Sequence, residues 1–181
     1  MKRLLLISFF AGLLSLQSAP LFNMAEMLDA STLDVKVLKD WHVVGGEVAT
    51  RQKLITIRVG ELVPGKEYRV PVRLIVPAKA KAKGFHLTGG HNPAQFQRDL
   101  QPRGVDRALL AGGVGLVQTV VQVLQVSGQR ELGRLADRRF VETLNPHYSI
   151  QYWGWPATLM RATTAAYAEK GHFEKGKVAA S

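Results

Sequence analysis

Two segments in the first half of the chain alternate apolar and polar residues, which is the period of a half-buried strand. The segments are residues 52–59 and 68–76, and the turn-forming residues Pro64 and Gly65 lie between them. They are therefore predicted to form an antiparallel pair. Pro71 favours an edge or near-edge position for the second strand, because proline cannot donate to the hydrogen-bond ladder.

Three later runs have the composition of buried strands. Residues 84–88, 115–126 and 177–181 are predominantly apolar, and the second run is rich in β-branched side chains. Runs of this kind are typical of strands that are covered on both faces, which in turn are typical of parallel sheets.

Helical spacing of apolar residues predicts three helices between and beyond these strands. The first covers residues 105–111, the second covers 131–144, and the third begins at Pro156 and ends before Gly171. Strands that alternate with helices after an opening antiparallel pair predict an α/β fold, in which parallel strands follow the antiparallel ones and helices cover both faces of the sheet.

The N-terminus has the pattern of a secretory signal peptide. Lys2 and Arg3 form a basic start, residues 4–16 form an apolar run, and the small residues Ser18 and Ala19 follow. The run is too short for a stable membrane-spanning helix, so export to the periplasm or the medium is predicted in preference to a retained anchor. Pro20 leaves the cleavage position open.

The predicted domain organisation is a signal peptide at residues 1–19, a leader at 20–32, and one domain at 33–181. A length of 181 residues with 46% hydrophobic side chains is enough for one core. The chain has no cysteine, so this core is predicted to hold the fold without a disulfide. No stable membrane span is expected after signal cleavage.

The chain is strongly basic. Its formal net charge of +10 would fall to +8 on the loss of Lys2 and Arg3, and such a balance can indicate binding to a polyanion. No nucleic-acid motif accompanies the charges, so we expect a solvated basic surface and no nucleic-acid partner. The charges are scattered except for three lysines in a loop and four arginines on one predicted helix, namely Lys79, Lys81, Lys83, Arg130, Arg134, Arg138 and Arg139.

Two blocks of sequence resemble one known family. The later block is Gln-Tyr-Trp-Gly-Trp-Pro at 151–156, followed by Met-Arg-Ala at 160–162, Ala-Ala-Tyr at 165–167 and Phe-Glu-Lys-Gly-Lys-Val at 173–178. The earlier block is Leu-Ile-Val-Pro at 74–77 with Gly-Phe-His-Leu-Thr-Gly-Gly-His-Asn at 84–92. In this order they resemble the PhoPQ-activated pathogenicity-related protein family, over roughly residues 40–181. Members of that family are secreted or periplasmic proteins with an α/β-hydrolase fold.

The resemblance implies a partial α/β-hydrolase sheet that ends before its nucleophile. In that fold a strand such as 177–181 leads into a sharp G-x-S-x-G turn, and the acid and the histidine follow later in the chain. Ser127, Ser149 and Ser181 all lack that setting. No catalytic residue is therefore predicted among these residues, and whether the chain is itself an enzyme stays open.

The resemblance also gives a role to the Gly-Gly-His-Asn segment that follows the strand at 84–88. An α/β-hydrolase places one backbone N–H of its oxyanion hole there, which makes Gly90 and His91 candidate donors and Asn92 a candidate substrate contact. Glycine suits this position because the backbone must approach a reacting oxygen closely. The alternative is a tight turn without chemistry.

Trp153 and Trp155, with Tyr148 and Tyr152 nearby, form an aromatic cluster that could contact a flat substrate. The alternative is that the cluster packs a helix onto the sheet. The five histidines have no metal-ligand spacing, and Gly112-Gly113-Val114-Gly115 precedes a strand where a dinucleotide fingerprint would follow one. Neither a metal nor a cofactor is predicted.

These observations favour an N-terminal fragment of an exported serine α/β-hydrolase of the esterase or peptidase type. The parent protein would act on a small-molecule or peptide ester or amide, and the fragment is expected to be inactive alone because it lacks the triad. The alternative is a short exported binding or interaction module that uses its basic surface or its aromatic cluster. A third reading is a chain that never folds stably.

Overall fold

One mixed sheet organises the part of the chain that the structure describes. The computed structural model describes residues 20–126 and 128–181, so the predicted signal peptide and Ser127 lie outside it. The strands of the sheet are β1 (Lys36–Val44), β2 (Thr50–Val63), β3 (Lys66–Pro77), β4 (Ala82–Thr88), β5 (Gly115–Thr119) and β6 (Phe173–Ala180).

The strands lie in the order β1-β2-β3-β5-β4-β6 across the sheet. Strands β1, β2, β3 and β5 pair antiparallel in turn, whereas β4 lies parallel to both β5 and β6. The carboxyl ends of β4, β5 and β6 therefore meet at one end of the sheet. The predicted fold class, antiparallel strands followed by parallel ones, is confirmed.

Helices cover both faces of the sheet. They are α1 (Met24–Leu28), α2 (Gly104–Ala111), α3 (Arg130–Thr143) and α4 (Trp155–Ala168). Helices α1, α3 and α4 pack on the larger core, which contains Phe85, Leu87 and Val117. Helix α2 packs Leu110 against Ile75 and Leu116 on the opposite face. All three predicted helices are present within a few residues of their predicted bounds.

Short helical segments lie beside the sheet and shape its surface. They are 3₁₀ turns at Pro93–Gln97, Val123–Gln125 and Pro146–Tyr148, and a π-helical turn at Ile150–Gly154 leads directly into α4. A further 3₁₀ turn at Ala30–Leu33 follows α1.

The edge or near-edge position predicted for the second strand is wrong. Strand β3 is an interior strand between β2 and β5. Pro71 is tolerated there because the ladder between β3 and β5 begins at Val72, so that the missing N–H of Pro71 lies beyond its end. The Pro71 carbonyl instead accepts a hydrogen bond from Thr119 Oγ1 at 2.8 Å.

Two of the predicted buried strands also differ from the structure. The run 115–126 is a strand only as far as Thr119, and its buried residues Val121 and Val123 pack from a turn. The β-branched residues after Thr119 are buried, as their composition indicates, but their backbone is not a strand. Strand β6 is longer than predicted, and only Phe173 of its side chains is buried, because β6 lies at the edge of the sheet.

The segment at 20–32, which has no strong hydrophobic period, is folded against α4. Met27 and Leu33 are buried in the core. The side chain of Arg161, which is 0% exposed, donates to the carbonyls of Glu26 at 2.6 Å and Asp29 at 3.1 Å. Burial lowers the pKa of Arg161 from its usual value. One arginine from α4 thus attaches this segment to the domain.

Candidate functional site

The site is built where the carboxyl ends of β4 and β6 lie side by side. The N–H of Ser181, which directly follows β6, donates to the carbonyl of Leu87 at 3.0 Å. The N–H of Gly89, which directly follows β4, donates to the carbonyl of Ser181 at 3.4 Å. The glycine pair predicted for the oxyanion region therefore lies next to the residue that follows β6.

Gly89 is required by packing. A Cβ at this position would lie 2.4 Å from Val121 Cγ1 and 3.2 Å from Leu159 Cδ2. Its carbonyl accepts the N–H of Val121 at 3.0 Å, which ties the ends of β4 and β5 together. Only a residue without a side chain fits between α4 and this turn.

Gly90 is the open position of the pair. It is exposed, and a Cβ built on it would meet no atom within 4 Å. In the described part of the chain no hydrogen bond engages its N–H, whereas the N–H of His91 donates to the carbonyl of Thr119 at 3.4 Å. Of the two candidate oxyanion donors, Gly90 is the one whose amide is available in this geometry.

The side chains of His91 and Asn92 have local partners. The His91 ring lies half-buried with Nε2 2.5 Å from Thr88 Oγ1. Burial lowers the pKa of His91, and the charge of Arg73 adds to this effect. The imidazole is therefore neutral at neutral pH. Asn92 caps the 3₁₀ turn that follows, since its Oδ1 accepts the N–H of Ala94 at 2.9 Å.

Arg73 holds this turn onto the sheet, and the sequence patterns did not single it out. It is 4% exposed and donates to the carbonyls of Gln95 at 2.7 Å and Arg98 at 2.5 Å. Its guanidinium also lies 5.0 Å from the centre of the Phe96 ring. In the alternation of this strand Arg73 falls at a polar position, so the sequence pattern predicts an exposed side chain and not a buried one.

The two tryptophans are not brought together. Trp153 is 3% exposed and packs against Gly60 and the ring of His147, with ring centres 4.6 Å apart, so it is a core residue on the β2 side. Trp155 is 37% exposed and lies one helical turn before Leu159, which approaches Gly89. Residues four apart share a helix face, so Trp155 lies on the same face of α4 as Leu159.

Ser181 contacts a histidine, but the contact is incomplete as a catalytic unit. Its Oγ lies 3.0 Å from Nε2 of His86. Nδ1 of His86 is buried and has no hydrogen-bond partner among the described residues. An activated serine requires a base that a third group orients, and no described residue supplies that group.

Other candidate features add little at this end of the sheet. Outside residues 1–19 and 127, no group of three potential metal ligands lies together. Three exposed arginines of α3, Arg134, Arg138 and Arg139, pair loosely with acids on the same helix, as Arg134 does with Glu131 at 3.3 Å. Within 20–126 and 128–181 every helix is too short or too polar to span a bilayer.

Comparison with known proteins identifies the fold. No protein-family model and no curated protein sequence matches the chain. Among solved structures, a CE15 glucuronoyl esterase from Teredinibacter turnerae has a TM-score of 0.52 at 12% identity, over 82% of this chain and 39% of that chain. A glucuronoyl esterase from Solibacter usitatus has a TM-score of 0.50 at 17% identity, over 82% of this chain and 45% of that chain.

These similarities establish an α/β-hydrolase-like fold and nothing finer, because the identities are low. The chain spans less than half the length of either esterase. The resemblance to the PhoPQ-activated family stays a prediction.

Proposed function

We propose that this chain is the N-terminal portion of an exported serine α/β-hydrolase, related to the PhoPQ-activated pathogenicity-related proteins, that cleaves an ester or an amide. The observation that supports this most directly is the available N–H of Gly90 beside the residue that follows β6. In this fold the loop after such a strand supplies one oxyanion donor, and the strand next to it leads to the nucleophile.

In the proposed reaction a serine beyond β6 attacks the carbonyl carbon of the substrate. The negative charge that forms on the carbonyl oxygen is stabilised by the N–H of Gly90 and by a second N–H next to the nucleophile. Trp155, which is partly exposed on the face of α4 that carries Leu159, would contact the substrate. The serine, the acid and the histidine would all follow β6 in the whole protein, so residues 1–181 alone are proposed to be inactive.

The test of this proposal is to read the DNA beyond the Ser181 codon in all three frames and to express the extended chain. We expect a Gly- and Ser-containing turn within a few residues, then an acid and a histidine. The extended protein should hydrolyse p-nitrophenyl acetate, and changing the new serine to alanine should lower kcat by about a millionfold. The absence of such a turn in every frame, or serine-dependent hydrolysis by residues 1–181 alone, would contradict the proposal.

A matched pair of variants in the extended protein tests the role of Gly90. Gly90→Pro removes the N–H, and we expect kcat to fall by about 10² to 10³. Gly90→Ala keeps the N–H and adds a methyl group in open space, so it should retain near-normal activity. Equal activity of the two variants would exclude Gly90 as an oxyanion donor.

Export is tested separately by mass spectrometry of the native protein. The basic start and apolar run of residues 1–19 support a signal peptide. We expect a mature N-terminus between Ala19 and Glu26. An intact Met1 on a cytoplasmic protein would contradict export without affecting the proposed hydrolase function.

A further inference from the structure

A cleft of about 530 Å³ opens on the face of the sheet that carries α2. It lies over β1, β2 and β3, and the 3₁₀ turn at Pro93–Gln97 forms one wall. This volume is within the range of about 300–1,000 Å³ that small-molecule sites occupy. The cleft does not use Gly90 or His91, so nothing in the proposed hydrolysis accounts for it.

The floor of the cleft carries apolar surface. Leu54 of β2, Pro71 of β3, Leu38 of β1 and the ring of Phe96 supply it, while the polar side chains of Gln52 and Thr56 also line the cleft. Leu38 is 59% exposed and Leu54 is half-buried, so a substantial apolar surface faces water here. A flat or aliphatic ligand body that covered this surface would be stabilised by its removal from water.

The rim of the cleft is cationic. Lys39, Lys53, Arg73 and Arg98 line it, and Asp99 is the acid among its lining residues. Asp99 is already engaged, since its carboxylate accepts hydrogen bonds from Lys39 at 2.8 Å and from His42 at 3.0 Å. These contacts hold the pKa of Asp99 below its usual value against the opposing effect of burial.

Arg98 is the cation of this rim without a protein partner. Lys53 pairs with Glu169 at 2.8 Å, and Arg73 donates to two carbonyls of the wall. The Arg98 side chain is exposed, and it forms no ion pair or hydrogen bond with any residue in the described ranges. Its planar fork of donors therefore faces solvent beside an apolar floor. This combination suits a ligand that is apolar at one end and anionic at the other.

We infer that this cleft binds a small amphipathic carboxylate. The apolar body of the ligand lies on Leu38, Leu54 and the ring of Phe96, and the carboxylate accepts two hydrogen bonds from Arg98. One uncommitted guanidinium matches the single charge of a carboxylate, because a two-oxygen anion pairs with both arms of the fork. The cations that hold Asp99 and the wall keep the local potential positive and disfavour a cationic ligand.

The test is calorimetric titration of the full 181-residue chain with three probes of the same shape: 2-naphthoate, 2-naphthamide and 2-naphthylmethylammonium. We expect 2-naphthoate to bind about tenfold more tightly than the amide, the ratio that a charge-assisted bidentate contact of about 1.4 kcal/mol gives. The ammonium probe should bind more weakly still. Equal affinity for all three probes, or no binding of 2-naphthoate, would overturn the inference.

Arginine variants locate the binding. Arg98→Gln should lower the affinity for 2-naphthoate about tenfold and leave the affinity for 2-naphthamide unchanged. Arg98→Glu should reverse the preference, so that the ammonium probe binds more tightly than 2-naphthoate. Arg138→Gln is a matched change on α3, at a side chain that is 64% exposed. It should leave the affinity for both probes unchanged. If Arg138→Gln weakens 2-naphthoate as much as Arg98→Gln does, the binding reflects net charge alone and the inference is wrong.

The variant Leu54→Gln tests whether the floor binds the apolar body of the ligand. It should lower the affinities for 2-naphthoate and 2-naphthamide equally. Bound probe should also shift the methyl resonances of Leu38 and Leu54 in the wild-type chain. Shifts confined to other methyl groups would place the probe elsewhere and contradict the inference. Because these titrations involve no catalysis, their failure would leave the proposed hydrolase function standing.

Discussion

Two buried arginines hold irregular segments onto opposite faces of the same sheet. Arg161 on α4 is 0% exposed and binds the carbonyls of the segment that contains α1, while Arg73 on β3 is 4% exposed and binds the turn that follows the glycine pair. Neither forms a salt bridge with a described carboxylate. The chemistry is the same in both places, since each guanidinium donates to backbone carbonyl oxygens of a segment that packs beside the sheet.

The two arginines differ in the kind of segment that they bind. The segment held by Arg161 inserts Met27 and Leu33 into the main core. The turn held by Arg73 carries exposed residues and forms a wall between Gly90 and the cleft. We therefore expect that loss of Arg161 destabilises the whole domain, whereas loss of Arg73 loosens one wall. The effect of a buried arginine therefore depends on the segment it binds: a segment of the core affects the stability of the whole domain, and a surface turn affects only the wall that it forms.

The largest expected effect is that of Arg161→Met. The variant removes three hydrogen bonds from a buried guanidinium, to the carbonyls of Glu26, Asp29 and Arg58. Each such bond contributes about 1 kcal/mol or more, so the free energy of unfolding should fall by about 3 kcal/mol. Urea unfolding followed by tryptophan fluorescence measures this change.

A control for Arg161→Met is available on the surface of α3. Arg134→Met changes a side chain that is 60% exposed and should alter stability by no more than about 0.5 kcal/mol. If the two variants unfold at the same urea concentration, the N-terminal segment contributes nothing to the domain core.

The glycine pair gives the next largest effect and contrasts a packed position with an open one. Gly89→Ala would force a methyl group to within 2.4 Å of Val121, and overpacking of this kind typically costs about 1–3 kcal/mol. Gly90→Ala places its methyl group in open space and should be neutral within about 0.5 kcal/mol. Thermal unfolding of the two variants measures the difference, and equal melting temperatures would mean that the turn does not lie against α4 as described.

Arg73→Met should produce a smaller and more local effect than Arg161→Met. The carbonyls of Gln95 and Arg98 can reach water when the wall opens, so we expect a loss of about 1–2 kcal/mol in unfolding free energy. Native-state hydrogen exchange should become faster at the amides of residues 94–98 and stay unchanged within β2. Uniformly faster exchange throughout the sheet would show that Arg73 supports the whole fold, as Arg161 does.

The contrast between these arginines also marks how far the sequence alone could predict the structure. Local patterns identified β2, β3, α3 and α4, because alternation, helical spacing and Pro156 act over a few residues. The docking of residues 20–33 depends on Arg161, whose hydrogen bonds span more than a hundred residues, as from Arg161 to Glu26 with a separation of 135. No local pattern records a contact of that range.

The candidate site was partly predictable for the same reason. Glycines directly after a predicted strand identified Gly90 and His91 as candidate donors. Which of the two amides is available depends on the pairing of His91 with Thr119, a contact between separate strand ends. The cleft draws on β1, β2, β3 and the turn after β4, so its composition could not be collected from any one stretch of sequence.

The smallest expected effect is on the pH dependence of the free energy of unfolding. It involves two histidines on different parts of the domain. Burial lowers the pKa of His91, which faces Arg73, Asp106 and Gln95, and burial also lowers the pKa of His172, which faces Arg51, Lys53, Asp40 and Glu169. Each ring therefore binds a proton less readily in the folded chain than in the unfolded chain. Between the lowered pKa and the ordinary value near 6.5, the unfolded state holds more protons, so stability rises with pH in that window and falls on acidification.

We expect the free energy of unfolding, measured by urea titration between pH 7 and pH 5, to decline on acidification in the wild-type chain. His91→Gln and His172→Gln should each remove part of this decline, because a glutamine cannot take up the proton. The two contributions should add, since the rings lie on different elements and share no partner. If His91→Gln instead steepens the decline, the ring carries a favourable charge in the folded state. The interpretation of His91 as a neutral side chain beside the glycine pair would then be wrong.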